Sequence, residues 1–239
     1  MRAFGFVIVL VIRLLISTYA RAEAPTPPCE GCTLDVPQRN TPMPLLVVLH
    51  GDHENAAAAV ARWKGPALAR GWAVLGIQCP EKEKTCRMGQ WYMWNPKPSL
   101  IEGFVAKVES QLSIDAKHIY LAGWSGGSTY IGMHANRWTK FAAVVFHGGG
   151  RKPPTSTCPN KLGAYFLMSA NNYFLKYTKM LGEYWKSCKQ DRVWDLLNGI
   201  KKHEDEGRAL DEAKAIEILD WLAPRARELR AAPESKKRT

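Results

Sequence analysis

This chain predicts an α/β fold: a doubly wound, mostly parallel sheet with helices on both faces. Apolar runs of strand length recur through the 239 residues. Most are continuous instead of alternating, as strands covered on both faces must be. Helical patterns separate them, giving five or six βα units in one chain. A Gly-x-Ser-x-Gly turn, Gly123-Trp124-Ser125-Gly126-Gly127, stands between a strand and a helix in the middle of this series.

Leu45-Leu46-Val47-Val48-Leu49 is the first buried strand. The alanine-rich stretch 55–70 reads as a helix that Gly65-Pro66 should bend or divide, because proline lacks the backbone donor. Trp72 to Ile77 is the next strand. Ser99 to Leu112 follows as a helix, with Ser99 as cap and apolar residues at 101, 104, 105 and 108. His118 to Ala122 is a short strand before the Gly-rich turn, and a helix opens from Ser128 to Ala135. Strands Ala142–Phe146 and Ala164–Met168, helix Phe174–Cys188, strand Arg192–Leu197 and a last helix Leu210–Ala223 complete the series.

One domain suits this length, with ample core, and 46% apolar against 23% charged residues argues against disorder. Residues 1–22 have the outline of a secretory signal peptide: Arg2, an apolar run interrupted by Arg13, and the small residues of Ala20-Arg21-Ala22 before Glu23. An uncleaved anchor is the alternative, although so short a run with a central charge spans a bilayer poorly. Residues 23–44 read as a lead-in segment, 45–223 as the domain and 224–239 as a basic tail. Cleavage after residue 22 would remove three arginines and no acid, leaving 30 Lys+Arg against 22 Asp+Glu. These bases are scattered and accompany no nucleic-acid motif, so they read as a solvated face, with no nucleic-acid partner and no stable membrane insertion expected. Six cysteines in an exported chain suggest disulfides, and the expected pairs are Cys29–Cys32, Cys79–Cys86 and Cys158–Cys188. A redox or zinc role for Cys29-Glu30-Gly31-Cys32 lacks a second ligand pair and a following helix.

Strand before and helix after are the context in which Gly-x-Ser-x-Gly becomes a nucleophile elbow, a strained turn that presents Ser125 Oγ at the strand end. A serine nucleophile needs a base, a group that orients the base, and oxyanion donors. His203, beyond the last strand, is the expected base. His50 and His53 belong to an early turn, His118 begins the elbow strand, His134 lies in the following helix, and His147 caps a strand with little room to act. The backbone amides of Gly126 and Asp52 are the expected oxyanion donors. Asp52, His53 and Glu54 are adjacent, and neighbours in sequence rarely converge on one ion, so no metal site is read there. No organic cofactor is implied either.

Leu45–Gly51 ending in His-Gly, Ile114-Asp115 before the elbow strand, the elbow and the late His203 together resemble the α/β-hydrolase superfamily. The likeness covers roughly 43–223 and is nearest to secreted esterases related to polyhydroxybutyrate depolymerases and feruloyl esterases, with dienelactone-hydrolase-like proteins further off. It implies Ser125 as nucleophile, His203 as base, Gly126 and Asp52 as oxyanion donors, and Asp115 as structural. One departure stands out. The resemblance expects an acid just after strand Ala164–Met168, and Asn172 stands there instead. Asn172, accepting the imidazole N–H, is the nominated orienter. The alternatives are Asp195, Glu204 or Asp205 as a relocated acid, or a scaffold that has lost most of its activity.

Trp91, Trp94, Trp124 and Tyr173 lie in segments expected at the substrate face, where aromatic rings stack on sugars or aromatic acyl groups; packing of the loop is the competing explanation. The expected protein is a secreted or periplasmic serine hydrolase acting on small-molecule or polymer esters. A peptidase on the same scaffold, or a binding protein built on a retired hydrolase, are the alternatives.

Overall fold

A computed structural model describes residues 24–39, 41–80, 86, 91, 99–159 and 161–228 of the chain. Residues 1–22, expected as a signal peptide, Trp94 and most of the basic tail lie outside the described residues. The elements are β1 Thr33–Asp35, β2 Met43–Leu49, α1 Ala56–Ala61, α2 Lys64–Ala69, β3 Ala73–Ile77, α3 Ser99–Glu109, β4 Ile114–Trp124, α4 Gly126–Met133, β5 Ala143–His147, β6 Gly163–Ser169, α5 Leu175–Ser187, β7 Arg192–Leu197, α6 His203–Arg208 and α7 Glu212–Leu222. The seven strands form one sheet in the order β1-β3-β2-β4-β5-β6-β7. All neighbouring pairs are parallel except β1 with β3.

Side chains alternate across each strand, and here both sets are apolar. Leu45, Val47 and Leu49 of β2 join Leu75, Leu121, Phe146 and Phe166 in one core layer. Leu46 and Val48 join Val74, Tyr120, Val145 and Leu167 in the other. Helices cover each face, which is why these strands carry no polar alternation.

The stretch 55–70 is divided into two helices, as Gly65-Pro66 predicts, because Pro66 has no N–H to give the carbonyl of Arg62 and α1 ends there. Two other elements differ from expectation, each for a local reason. The lead-in segment supplies β1, a three-residue edge strand too short to show periodicity. The polar stretch around His203 folds as α6 instead of a loop, with Glu204, Asp205 and Glu206 in its first turn, where carboxylates favour the helix dipole.

The three expected disulfides are present, with Cα–Cα distances of 5.2, 5.6 and 5.5 Å for Cys29–Cys32, Cys79–Cys86 and Cys158–Cys188. In a sheet of this kind, functional groups gather at the carboxyl ends of the strands, where the order reverses. Here β3 lies on one side of β2 and β4 on the other, so the turns after β2 and β4 flank that point.

Candidate active site

Ser125 follows β4 with φ 48° and ψ −107°, a left-handed backbone that a side chain rarely adopts. The glycines around it are sterically required. A Cβ at Gly123 would lie 2.5 Å from Ser128 N, and one at Gly127 would lie 2.7 Å from the carbonyl oxygens of Leu49 and His50. Ser125 N donates to His147 O at 2.8 Å, and Ser128 Oγ donates to Gly123 O at 2.6 Å. The bend is therefore pinned on both sides, and such strain persists where the surroundings over-determine it.

Ser125 Oγ lies 2.8 Å from His203 Nε2. On the far side of the ring, His203 Nδ1 is 3.0 Å from Glu206 Oε2. Glu206 is fully buried. Its Oε1 accepts from Ser169 N at 2.5 Å, and its Oε2 also accepts from Asn172 Nδ2 at 2.5 Å. Burial pushes this carboxyl up, but the hydrogen bonds from His203, Ser169 N and Asn172 outweigh it and hold the group below its ordinary range. An ionised Glu206 requires the proton on His203 Nδ1, which leaves Nε2 to accept from the serine hydroxyl.

Asn172 is not the imidazole acceptor expected from the sequence. Its Oδ1 accepts from Phe174 N at 2.7 Å, while Nδ2 donates to Gly148 O at 3.2 Å as well as to Glu206. These partners fix the amide orientation, so a donor, not an acceptor, faces His203 Nδ1 at 3.3 Å. Asp195, another residue weighed as the acid, is bound to Tyr165 Oη and Lys214 Nζ on β7. Arg208 engages Asp205. Glu206 escaped the sequence reading, which treated its segment as a loop. As a helix, His203 and Glu206 stand at i and i+3 on one face, and that spacing is the signal that would have found it.

Trp124 lies beneath the imidazole instead of facing substrate. Its ring stacks on His203 with centroids 4.5 Å apart at 16° and approaches His147 at 4.4 Å. It fills a slot walled by glycines: Cβ atoms at Gly51, Gly148 and Gly207 would come within 2.4, 2.1 and 3.0 Å of the indole. His147, kept neutral because burial lowers it to about 4, contacts Glu206 O through Nε2 at 2.8 Å and so ties α6 to β5. Trp91 is also a correction. It is fully buried against His50 and Tyr130, with centroids 5.2 and 5.4 Å away, so the packing alternative holds for it. Tyr173 is 73% exposed, its ring centroid 6.5 Å from that of His203.

The turn after β2 is organised by His50. Cys79 N donates to its Nε2 at 3.1 Å, so its Nδ1–H points to Gly51 O at 2.6 Å. Glu54 accepts from Gly51 N and from Arg62. The Asp52 carboxylate rests against Gly126, where a Cβ would stand 2.0 Å from Oδ1. Burial raises its carboxyl to about 6, opposed by the hydrogen bond from Trp91 N. The amides of Asp52 and Gly126 donate to no described residue. Asp52, Ser125 and Gly126 line one cavity of about 310 Å³, with Phe174 and Tyr177 as aromatic walls that sequence reasoning missed. Among the described residues, no cluster of His, Cys, Asp or Glu is suited to a metal ion, and no helix is long and apolar enough to cross a membrane.

A mostly parallel sheet with a strained serine elbow, and a histidine delivered after the last strand, is the α/β-hydrolase fold, and the chain has it. More narrowly, residues 34–152, about half of the chain, match the family described as esterase PHB depolymerase. Among solved structures it is similar to a thermostable esterase at 18% identity and TM-score 0.63, over 82% of this chain but only 59% of that one. It is similar to a Bacillus cereus carboxylesterase at 12% identity and TM-score 0.61, over 81% of this chain and 93% of that one. A fluorophosphonate-binding serine hydrolase of Staphylococcus aureus is similar at 11% identity and TM-score 0.59, over 80% of this chain and 91% of that one. No curated protein matches the sequence.

Proposed function

We propose that the protein is an exported carboxylic-ester hydrolase that works through an acyl-enzyme on Ser125, with His203 as base and Glu206 as the acid that orients it. The supporting observation is the unbroken relay Ser125 Oγ–His203 Nε2 at 2.8 Å and His203 Nδ1–Glu206 Oε2 at 3.0 Å. Ser125 Oγ attacks the acyl carbonyl as His203 takes its proton. The amides of Asp52 and Gly126 receive the oxyanion. His203 then returns the proton to the leaving alcohol, and water attacks the acyl-enzyme by the same route in reverse. Stabilising the oxyanion by pre-aimed amides is worth a few kcal/mol per donor. Asn172 acts here as a donor to Glu206, not as a substitute acid, which argues against a retired scaffold.

Export is supported by three disulfides, which persist in oxidising compartments. The test is turnover of p-nitrophenyl acetate and of the matching acetanilide, with fluorophosphonate labelling. Ester cleavage and labelling, both lost in Ser125→Ala, are expected; faster cleavage of the anilide indicates a peptidase, and no labelling of folded protein removes the proposal.

A further inference from the structure

A second cavity adjoins the one at Ser125. Arg151 and Tyr177 are common to both, and beyond them lies a space of about 300 Å³ walled by Met133, Pro153, Pro154 and Met180, with Lys152 at its rim. Liquid water occupies about 30 Å³ per molecule, so each space holds roughly ten heavy atoms. Tyr177 and Met180, one turn apart on α5, are 45% and 44% exposed, large apolar groups left in water along this path. Arg151 and Lys152 form no ion pair with a described residue, whereas Arg62, Arg70, Lys140, Lys161, Lys214 and Arg225 do. No acid lines the second space.

Direction follows from chemistry. The leaving alcohol must stand at His203 Nε2 to receive its proton. His203 does not line the first cavity, whereas Asp52 and Gly126 do. The path therefore takes the acyl limb. Resting on the hydrolase reading above, we propose that this two-compartment groove is an acyl subsite for esters of long dicarboxylic acids, with an apolar chain along Tyr177 and Met180 and the distal carboxylate at Arg151 and Lys152. The Asp52 carboxylate at the near end repels a second carboxylate placed close to the scissile carbonyl, so short diacids are disfavoured.

The test compares p-nitrophenyl octanoate with the mono-p-nitrophenyl ester of octanedioic acid, and the butanoate with the butanedioate. At low salt the octanedioate should exceed the octanoate in kcat/KM by about three- to tenfold, the yield of one or two partly exposed ion pairs. The butanedioate should fall below the butanoate. In Arg151→Gln/Lys152→Gln the octanedioate advantage should vanish, and added salt should erode it in the parent protein. An octanoate preference in the parent, or an octanedioate preference that survives the double substitution, overturns the proposal. Failure to hydrolyse any of these esters counts against the hydrolase reading instead. Calorimetry on Ser125→Ala then decides the groove without turnover: monomethyl octanedioate must bind tighter than dimethyl octanedioate, and equal affinity overturns the subsite.

Discussion

Two segments converge on the inner side of the His203 ring and contribute differently. The turn after β6, from Ser169 to Phe174, brings only neutral donors: Ser169 N and Asn172 Nδ2, both to Glu206. Helix α6, after β7, carries both the imidazole and the carboxylate, three residues apart. For Asn172 and Asp195, two of the orienters considered from sequence, base and orienter stand on separate segments, and their geometry would depend on how those segments pack. Here one helical turn sets the distance between them, and the β6 turn lowers the acid's pKa from outside. A buried carboxylate needs such donors, since an unpaired buried charge is far more costly than a paired one.

The largest effect expected from breaking this arrangement is in Glu206→Gln. It should lower kcat by about ten-thousandfold with little change in KM, the size of loss seen when the acid of a serine-protease triad becomes an amide. Steady-state kinetics on a p-nitrophenyl ester checks it, and a loss below tenfold would mean that Glu206 is structural.

Neither segment sets the plane of the imidazole; the stacked Trp124 does. Trp124→Ala should cost about 3–5 kcal/mol of stability by emptying its glycine-walled slot, read by chemical denaturation. Trp124→Phe should keep most of the stability.

Moving the acid from one segment to the other sharpens the comparison. Because position 172 already points at His203 Nδ1 from 3.3 Å, Glu206→Gln/Asn172→Asp should recover about ten- to a hundredfold of the activity lost in Glu206→Gln, a gain of about 1.4–2.7 kcal/mol at the transition state. No recovery would show that the β6 turn cannot seat the acid.

The smallest change is Asn172→Ala, for which we expect about a tenfold loss of kcat. Glu206 contributes stability that is present above its unfolded pKa and lost as pH falls through its folded one. Burial pushes that folded value up, and removing one donor leaves the push less opposed. The acid-side loss of stability should therefore begin at a higher pH in Asn172→Ala, as read by melting temperature across an acid series. An unchanged acid limb would place Asn172 outside the carboxylate's hydrogen-bonding shell.

Much of the site was legible because its signals are local. Gly123, Gly126 and Gly127 report a backbone too tight for a Cβ, and the flanking strand and helix identify that tightness as an elbow. His203 could be chosen because few histidines follow the last strand. The acid was illegible because Glu204, Asp205 and Glu206 are adjacent carboxylates, and only the helical phase of α6 turns one of them inward. The aromatic residues divide in the same way. Trp91 and Trp124 were expected at the substrate face, yet both are buried, whereas Phe174 and Tyr177, at the start of the helix expected at 174–188, wall the cavity.

The order of strands and helices, the elbow at Ser125 and the late histidine were determined by sequence alone, since side-chain periodicity and glycine's missing Cβ act within a few neighbours. How His203 meets Ser125, what lies under its ring and which residues wall the cavity beside Ser125 were decided only by the tertiary structure. Those contacts join residues 78 positions apart at Ser125–His203 and 34 apart at Asn172–Glu206. Contacts of that span exist only once the sheet has brought its strand ends together, and no local pattern encodes them.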